Sequence, residues 1–214
     1  MRTLAIGDIH GCRQALERLV SLVALQPDDR LIFLGDYVDR GADTKGVIDW
    51  ILAEREKREV ITLRGNHEVM MMESREDWPK FGAWQGFGGQ ETLVSYGEAL
   101  ADDWVELVPV AHWNFLESTV PCHETETHLF VHGCLAHDLP PDEQPDDYLY
   151  WMRVYDQKPH QSGKKVICGH ASQKSGEIYV SKHAVCIDTW PMGKWLTCLD
   201  VDTEEFWQAS EHGP

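Results

Sequence analysis

A buried strand and a charged turn meet in the sequence LIFLGDYVDRG, residues 31–41. Its first four residues form a continuous apolar run with the length of a buried strand. A glycine follows at once, then two carboxylates and an arginine, before a second glycine closes the segment at Gly41. Open α/β sheets bind ligands beyond the carboxyl ends of their strands, so this order predicts a functional site at one sheet edge.

Four further apolar runs lead into charged or histidine-containing segments in the same way. These runs and the segments that follow them are residues 4–6 before GDIHG (7–11), 60–63 before RGNHE (64–68), 129–131 before HG (132–133) and 166–168 before GH (169–170). Along the chain, roughly 30 residues separate GDIHG from GDYVDRG and GDYVDRG from RGNHE, which is the length of a strand–helix–strand crossover. The sequence therefore predicts βα units whose polar side chains converge at one edge.

Helical periodicity fills the intervals between these strands. Apolar residues from Leu16 to Val23 recur at i, i+3, i+4 and i+7, which predicts an amphipathic helix over residues 11–25. The other predicted helices are residues 43–57, a helix that begins at Asn66 and ends by Pro79, and a peripheral helical region over residues 90–117. An aromatic, glycine-rich stretch, residues 81–89, is predicted to be a loop.

The second half of the chain has more strands and shorter connections. The predicted strands are residues 128–132, 165–169, 177–180, 184–188, 195–201 and 204–208. Short turns between them predict antiparallel pairs and a second sheet. The acidic, proline-containing segment over residues 138–147 has no period and is predicted to be a solvated loop.

Composition narrows the class of protein. The 214 residues contain no Pro/Gly/Ser-rich linker and are expected to form one domain, residues 1–214. A net charge of −17 argues against stable nucleic-acid binding, which depends on cations that contact phosphates. With no leader and no apolar run long enough to span a membrane, we expect a cytoplasmic protein that does not bind membranes. A monomer is compatible with the sequence, which does not determine the oligomeric state.

The cysteines point to the same compartment. Six of them are scattered along the chain without a C-x-x-C pair. We therefore expect reduced thiols rather than a disulfide framework.

The motifs resemble those of the phosphoprotein phosphatase family of metallophosphoesterases, the Ser/Thr phosphatases, and most closely its compact bacterial and lambda-phage type. GDxHG, GDxVDRG and RGNHE occur in the order and spacing of that family, and a match to all three is specific where any single one is weak. The resemblance extends from Leu4 to Leu199. It implies a mixed α/β (α+β) fold, the calcineurin-like four-layer α/β/β/α sandwich with two mixed sheets.

The resemblance also implies a site with two divalent metal ions that share one carboxylate. The implied ligands are Asp8, His10 and Asp36 for one ion, and Asp36, Asn66, His132 and His170 for the other. The chemistry agrees, because dications about 3.5–4 Å apart need a shared carboxylate between them and neutral donors around them. A ligand set without thiolate favours Mn²⁺ and admits Fe or Zn²⁺.

Motif positions further suggest a mechanism, direct attack on phosphorus by a hydroxide that bridges the metals. His67 would be the general acid that protonates the leaving group, and Asp39 would orient His67. Three arginines, Arg40, Arg64 and Arg153, would bind the non-bridging phosphate oxygens, which a planar guanidinium matches in pairs.

Several of these residues also have ordinary structural explanations. Asn66 precedes a predicted helix, where asparagine is a favoured N-cap. His132 and His170 taken alone are typical of histidines at strand ends, and Arg153 is also compatible with an arginine that packs its stem on the surface. Glu68 is interpreted as structural, a first-turn acid that favours the helix dipole.

The substrate is the least determined feature. GDYVDRG is similar to the version found in protein phosphatases, which favours phosphoserine and phosphothreonine in proteins. The alternatives are dinucleoside polyphosphates such as diadenosine tetraphosphate, whose hydrolases usually vary VDRG, and broad small-molecule phosphatase or phosphodiesterase activity. A non-enzymatic scaffold would be expected to lose ligands, and none is lost here. Trp190 stands where a small glycine-containing turn is usual and would narrow the edge of the cleft.

Overall fold

The computed structural model describes residues 1–97 and 103–213. In the first half the elements are β1 (Thr3–Ile6), α1 (Arg13–Val23), β2 (Arg30–Phe33), α2 (Thr44–Arg55), β3 (Val60–Thr62), α3 (Asn66–Glu73), α4 (Trp78–Trp84), α5 (Gln90–Ser95), α6 (Trp104–Leu107) and α7 (Val110–Glu117). In the second half they are β4 (Cys122–Glu124), β5 (His128–Val131), β6 (Lys165–Cys168), β7 (Tyr179–Val180), β8 (Ala184–Cys186), β9 (Leu196–Asp200) and β10 (Phe206–Ala209). Short π-helical turns span Gln85–Gly89 and Asp147–Trp151.

Two mixed sheets of five strands form the centre of the structure, as the resemblance implied. The first has the order β10-β9-β1-β2-β3, with β1, β2 and β3 parallel. The second has the order β4-β5-β6-β8-β7, with β5, β6 and β8 parallel and antiparallel strands at both edges. The parallel strands of each sheet therefore direct their carboxyl ends to one side.

The short turns of the second half predicted antiparallel pairs and a second sheet. The second sheet is present, but not all of these strands belong to it and not all of their pairs are antiparallel. β9 pairs with β1 and β10 pairs with β9, so both belong to the first sheet. The pairs among β5, β6 and β8 are parallel. All five residues of β9 are buried. A strand buried on both faces lacks the alternation of buried and exposed positions that would indicate which sheet it joins.

Burial on both faces also explains the continuous apolar runs. One cluster fills the space between the sheets, with Ala5, Ile32 and Leu199 from the first sheet and Phe130, Ile167 and Val185 from the second. Alternate residues of the same strands face outward. Helices α1 and α2 cover the outer face of the first sheet, whereas short turns that carry Leu149, Tyr150 and Val154 cover the second.

The stretch predicted to be a loop, residues 81–89, is helical. Pro79 lies in the first turn of α4 rather than ending the previous helix, because proline is accommodated in a first helical turn where its missing N–H is not needed. Asp77 caps this turn by accepting a hydrogen bond from the Lys80 backbone N–H. The π-helical turn that follows contains Gly88 at φ 110°, a conformation that favours glycine.

The helical region predicted over residues 90–117 consists of α5, α6 and α7 where it is described, and residues 98–102 lie outside the described part of the chain. In the described residues no helix is long and apolar enough to cross a membrane.

Two alanines offer a matched test of backbone strain in the helices. Ala24 ends α1 in the left-handed conformation at φ 50°, whereas Ala53 lies inside α2 and is equally exposed. We expect Ala24→Gly to raise the free energy of unfolding by about 1 kcal/mol, because glycine has no Cβ penalty there. Ala53→Gly should lower it by about 1 kcal/mol. Denaturant midpoints at unchanged m-value measure both, and a change of the same sign in the two variants would contradict the assignment.

Candidate metal centre

The carboxyl ends of the parallel strands of both sheets meet at one cleft of about 660 Å³. Seven of the predicted site residues line it, namely Asp8, Asp36, Arg40, Asn66, His67, Arg153 and His170. Three more, His10, Asp39 and His132, are fully buried beneath it. Of the predicted residues, Arg64 is placed elsewhere.

Asp36 lies at the centre of this group. His10 Nε2 is 3.3 Å from Asp36 Oδ2, and His132 Nε2 is 3.4 Å from Oδ1. Two sets of donor atoms close enough to hold an ion share this residue, His10 with Asp36 and His67, and Asp8 with Asp36 and His132. These sets differ from the predicted grouping, in which Asp8 and His10 hold the same ion, but Asp36 is common to both sets in either case. Asp36 is thus placed as a ligand common to two ions would be.

Asn66 lies among the histidines. Its Oδ1 is 3.0 Å from His132 Nε2 and 3.1 Å from His170 Nδ1. The N-cap of α3 is Gly65, so Asn66 is already inside the helix and capping does not account for its position. The amide oxygen instead faces the two rings that were predicted to share an ion with it.

Second hydrogen bonds orient three of the histidines. The nitrogen that faces away from Asp36 or Asn66 contacts a backbone carbonyl oxygen in each case: Val38 O for His10 (2.9 Å), Leu34 O for His132 (2.8 Å) and Trp151 O for His170 (3.0 Å). A carbonyl only accepts, so that nitrogen carries the proton and the other presents a lone pair. This is the usual arrangement of histidines that bind metals.

The electrostatics fit bound cations. Burial lowers the pKa of His10 and His132, and that of His170 to about 4, so these rings are neutral donors at pH 7. Burial, followed by the carboxylates of Asp188 and Asp36, raises the pKa of Asp8 well above its ordinary value. No lysine or arginine in the described residues forms an ion pair with Asp8, Asp36 or Asp188. Two dications are the chemistry that such a donor set fits.

His67 differs from the other histidines of the group. Its Nδ1 lies 2.6 Å from Asp39 Oδ2, so a carboxylate replaces the carbonyl as partner, and its Nε2 lies 4.0 Å from Asp36 Oδ2. Burial alone would lower the pKa of His67, but the carboxylates of Asp36 and Asp39 outweigh burial and raise it. His67 is therefore set up to hold a proton on the side that faces the cleft.

Backbone strain is concentrated in this group. Eight non-glycine residues in the described chain have positive φ, and six of them belong to the cleft or its ligands: His10, Asp36, Asp39, Arg40, His170 and Trp190. The other two end α1 or lie in a surface turn. Left-handed backbone costs about 1–2 kcal/mol per residue and persists only where the surroundings enforce it. The fold thus accepts strain at this site that it avoids elsewhere.

The three predicted arginines are not equivalent. Arg40 Nη1 is 2.9 Å from His10 Nε2, and the exposed Arg153 lines the cleft. Arg64 instead donates to Thr119 Oγ1 (3.0 Å), Thr119 O (2.9 Å) and Glu117 O (3.1 Å). These acceptors lie at the end of α7 and directly after it, where Val120 also pairs with Leu63 next to β3. The prediction that Arg64 binds phosphate is therefore not supported by its position.

Glu68 has a larger structural role than a first-turn acid. Its buried carboxylate accepts hydrogen bonds from the backbone N–H groups of Asp36, Tyr37 and Gly65, each at 2.8 Å. It thereby fastens the turn after β2 to the start of α3, which brings Asp36 and Asn66 together. Burial raises the pKa of Glu68 to about 7. From the sequence, Glu68 was assigned only a helix-dipole role, because its partners Asp36 and Tyr37 lie 32 and 31 residues away and no local pattern signals them.

Asp188 was missed at the sequence level. It is buried, its Oδ1 accepts the Trp190 backbone N–H at 3.1 Å, and burial raises its pKa to about 6. The available signal was its place directly after the apolar residues 184–187, the same position that the other site residues occupy behind their strands.

Fold and donor set together define a metallophosphoesterase. The profile described as "Calcineurin-like phosphoesterase" matches residues 1–202, and the chain belongs to that family. The family uses a dinuclear metal centre, and the candidate ligand groups described above are present.

Relatives within the family differ in what they act on. A symmetrical bis(5'-nucleosyl)-tetraphosphatase of Legionella pneumophila (strain Lens) is 36% identical over 132 residues, which cover 61% of this chain and 43% of that protein. Serine/threonine-protein phosphatase C23G10.1 of Caenorhabditis elegans is 44% identical over 66 residues, 30% of this chain and 14% of the relative. The chain thus spans less than half the length of these curated relatives.

The fold itself is shared with solved structures. A crystal structure described as "a putative diadenosine tetraphosphatase" superposes with a TM-score of 0.74 and 19% identity, covering 97% of this chain and 92% of that one. The likeness shows the architecture and leaves the substrate open.

The shared position of Asp36 predicts a specific loss of metal. The unaltered protein should bind two Mn²⁺ per chain and Asp36→Asn at most one, because only this carboxylate belongs to both sets of donors. Asp39→Asn removes an equally buried carboxylate outside both sets and should retain two. Metal analysis after dialysis against micromolar Mn²⁺ gives both values, and two ions bound to Asp36→Asn would contradict the shared-ligand assignment.

Proposed function

We propose that this protein is a metal-dependent phosphomonoesterase, a single catalytic domain that removes phosphate from phosphoserine and phosphothreonine in proteins. The observation that carries the proposal is the His67–Asp39 pair, with Nδ1 of His67 2.6 Å from the carboxylate and Nε2 directed to the Asp36 side. Such a pair supplies a proton at a defined atom.

The leaving group decides whether that proton matters. Serine and threonine leave as alkoxides, which are far more basic than the phosphate group that leaves when a phosphoanhydride is cut. An alkoxide therefore needs a proton donor within hydrogen-bond reach, whereas a phosphate leaves readily without one. A buried histidine fastened to a buried carboxylate fits the more demanding reaction.

The remaining roles follow from the placement of each side chain. Asp8, His10 and Asp36 would hold one ion, and Asp36, Asn66, His132 and His170 the other. When bound, two divalent ions, which we expect to be Mn²⁺, supply an acidified water as nucleophile and neutralise charge on the phosphoryl group. Arg40 and Arg153 at the mouth of the cleft would bind its non-bridging oxygens.

A second candidate, hydrolysis of dinucleoside tetraphosphates, is favoured by a different observation. Trp190 and Lys174 line the same cleft, and the Lys174 ammonium lies 5.9 Å from the centre of the Trp190 ring. The ring offers a surface on which a nucleobase stacks, and the ammonium a contact for a further phosphate. The Legionella relative points to the same substrate class.

The leaving group provides the test of the first candidate. His67→Asn should lower kcat on a phosphothreonine peptide by about 10²–10⁴-fold, the usual contribution of a positioned acid. The loss on p-nitrophenyl phosphate should be much smaller, because nitrophenolate needs no proton. His123→Asn alters a half-buried histidine outside the cleft and serves as control. Equal losses on both substrates would contradict the assignment of His67 as acid.

Trp190, at the rim of the cleft, provides the test of the second candidate function. If dinucleoside tetraphosphates are substrates, Trp190→Ala should lower kcat/KM for diadenosine tetraphosphate about tenfold, since stacking one base is worth about 1–3 kcal/mol. Hydrolysis of the phosphothreonine peptide should change less than about threefold. Trp78→Ala removes an exposed tryptophan outside the cleft as control. If the protein prefers the phosphothreonine peptide to diadenosine tetraphosphate, and Trp190→Ala leaves that preference unchanged, the dinucleoside tetraphosphatase candidate is contradicted.

A further inference from the structure

The Asp39 carboxylate is fully buried and receives hydrogen bonds from three side chains. Trp84 Nε1 donates to both oxygens, at 3.0 and 2.9 Å, and Thr92 Oγ1 donates to Oδ1 at 2.8 Å. His67 Nδ1 donates to Oδ2 at 2.6 Å. Trp84 and Thr92 thus hold the carboxylate in addition to His67.

Thr92 holds the backbone of Asp39 as well as its side chain. The Asp39 backbone N–H donates to Thr92 Oγ1 at 2.8 Å. Asp39 has a φ of 73°, a strained value for a residue with a Cβ. The hydroxyl of Thr92 therefore sets the direction in which a strained residue presents its carboxylate.

Trp84 is itself held rigidly. Its side chain is buried and packs against the rings of Phe81 and Trp104, with centroids 6.0 and 5.0 Å away. The backbone of Gly89 lies against the ring so closely that a Cβ there would come within 2.5 Å of it. The indole N–H cannot turn away from Asp39 without displacing this packing.

We infer that Trp84 and Thr92 are positioning residues for the proton transfer, acting on His67 through Asp39. Neither belongs to the sequence motifs: Trp84 ends α4, and Thr92 lies in α5. The inference rests on the proposed function, since it assumes that His67 delivers a proton. It gives α4 and α5, which follow the RGNHE segment, a part in the chemistry. A purely structural contact would instead tie α4 and α5 to the turn after β2 and affect only stability.

The carboxylate has to remain in place for the acid to work. Hydrogen bonds to a charged acceptor are stronger than neutral ones, and a displacement of about 1 Å at a catalytic group can cost about 10²-fold in rate. Loss of the Trp84 N–H would remove a hydrogen-bond donor shared by both oxygens of Asp39 and let the His67 ring tilt. The rate should therefore fall only for substrates whose leaving group needs a proton.

The test removes one hydrogen bond at a time. Trp84→Phe keeps an aromatic ring and removes Nε1–H, and Thr92→Val replaces the hydroxyl by a methyl group of similar size. Each should lower kcat on the phosphothreonine peptide about tenfold or more and change hydrolysis of p-nitrophenyl phosphate less than about threefold. Trp50→Phe alters a half-buried ring that packs on Phe33 and is not one of the rings that hold Trp84, so it should change neither rate. Circular dichroism and bound Mn²⁺ confirm that each variant folds.

A double-mutant cycle separates positioning from stability. In a His67→Asn background, Trp84→Phe should cause no further loss, because its effect passes through the ring that has been removed. A further loss of the same size, or equal losses on both substrates, would overturn the inference and leave His67 as acid. No effect of His67→Asn on the peptide would overturn the proposed function and the inference with it.

Discussion

Placing the carboxylate of Asp36 inside the protein, among other carboxylates, is the constraint on which the rest of the site depends. A buried charge is tolerated only with compensation, and the surroundings supply it in several forms. Three imidazole rings lie within 4.0 Å of its oxygens, and the backbone N–H of His67 donates to Oδ1 at 3.1 Å. The neighbouring carboxylates of Asp8 and Asp188 increase the need for positive charge, which is why a dinuclear metal centre fits this fold.

Holding Asp36 there requires that two turns touch. Glu68 links them through three backbone hydrogen bonds. The approach is so close that a Cβ on Gly35 would lie 2.6 Å from the backbone nitrogen of Gly65. Gly35 and Gly65 are thus both required by the contact between the turns, and Gly35 also by its positive φ. The strain in Asp36 and its neighbours is the cost of this contact, and the packed sheets beneath maintain it.

The environment divides the histidines of the cleft into two kinds. His10, His132 and His170 each give one N–H to a carbonyl and present a lone pair, as a ligand must. His67 gives its N–H to a carboxylate that other side chains hold in place. The partner of each ring therefore decides which role it is suited to, that of a metal ligand for the first three and that of an acid for His67. The relatives share this centre and differ in substrate, so the rim, where Trp190 and Lys174 lie, is where selectivity would arise.

Much of the fold and of the site could be predicted from local patterns. The parallel strands β1, β2, β3, β5 and β6 follow from apolar runs, and the cluster around Asp36 follows from polar residues placed directly behind those runs. Patterns failed where partners are distant in the sequence. The sequence of β9 is compatible with a place in either sheet, and Pro79 is compatible with the end or the start of a helix. In both cases only the packing of the folded chain decides between the two possibilities.

The amino-acid sequence by itself determined the class of the protein, because the ligand types and the glycines stand in local order behind each strand. Tertiary structure alone decided what each side chain meets. It turned Arg64 toward Thr119, placed Asp188 beside Asp8, and aimed the Trp84 N–H at Asp39, 45 residues away along the chain. Those outcomes depend on contacts between segments far apart in sequence, which no local pattern encodes, since a hydrogen bond is made by whichever groups the packed core brings within about 3 Å of one another.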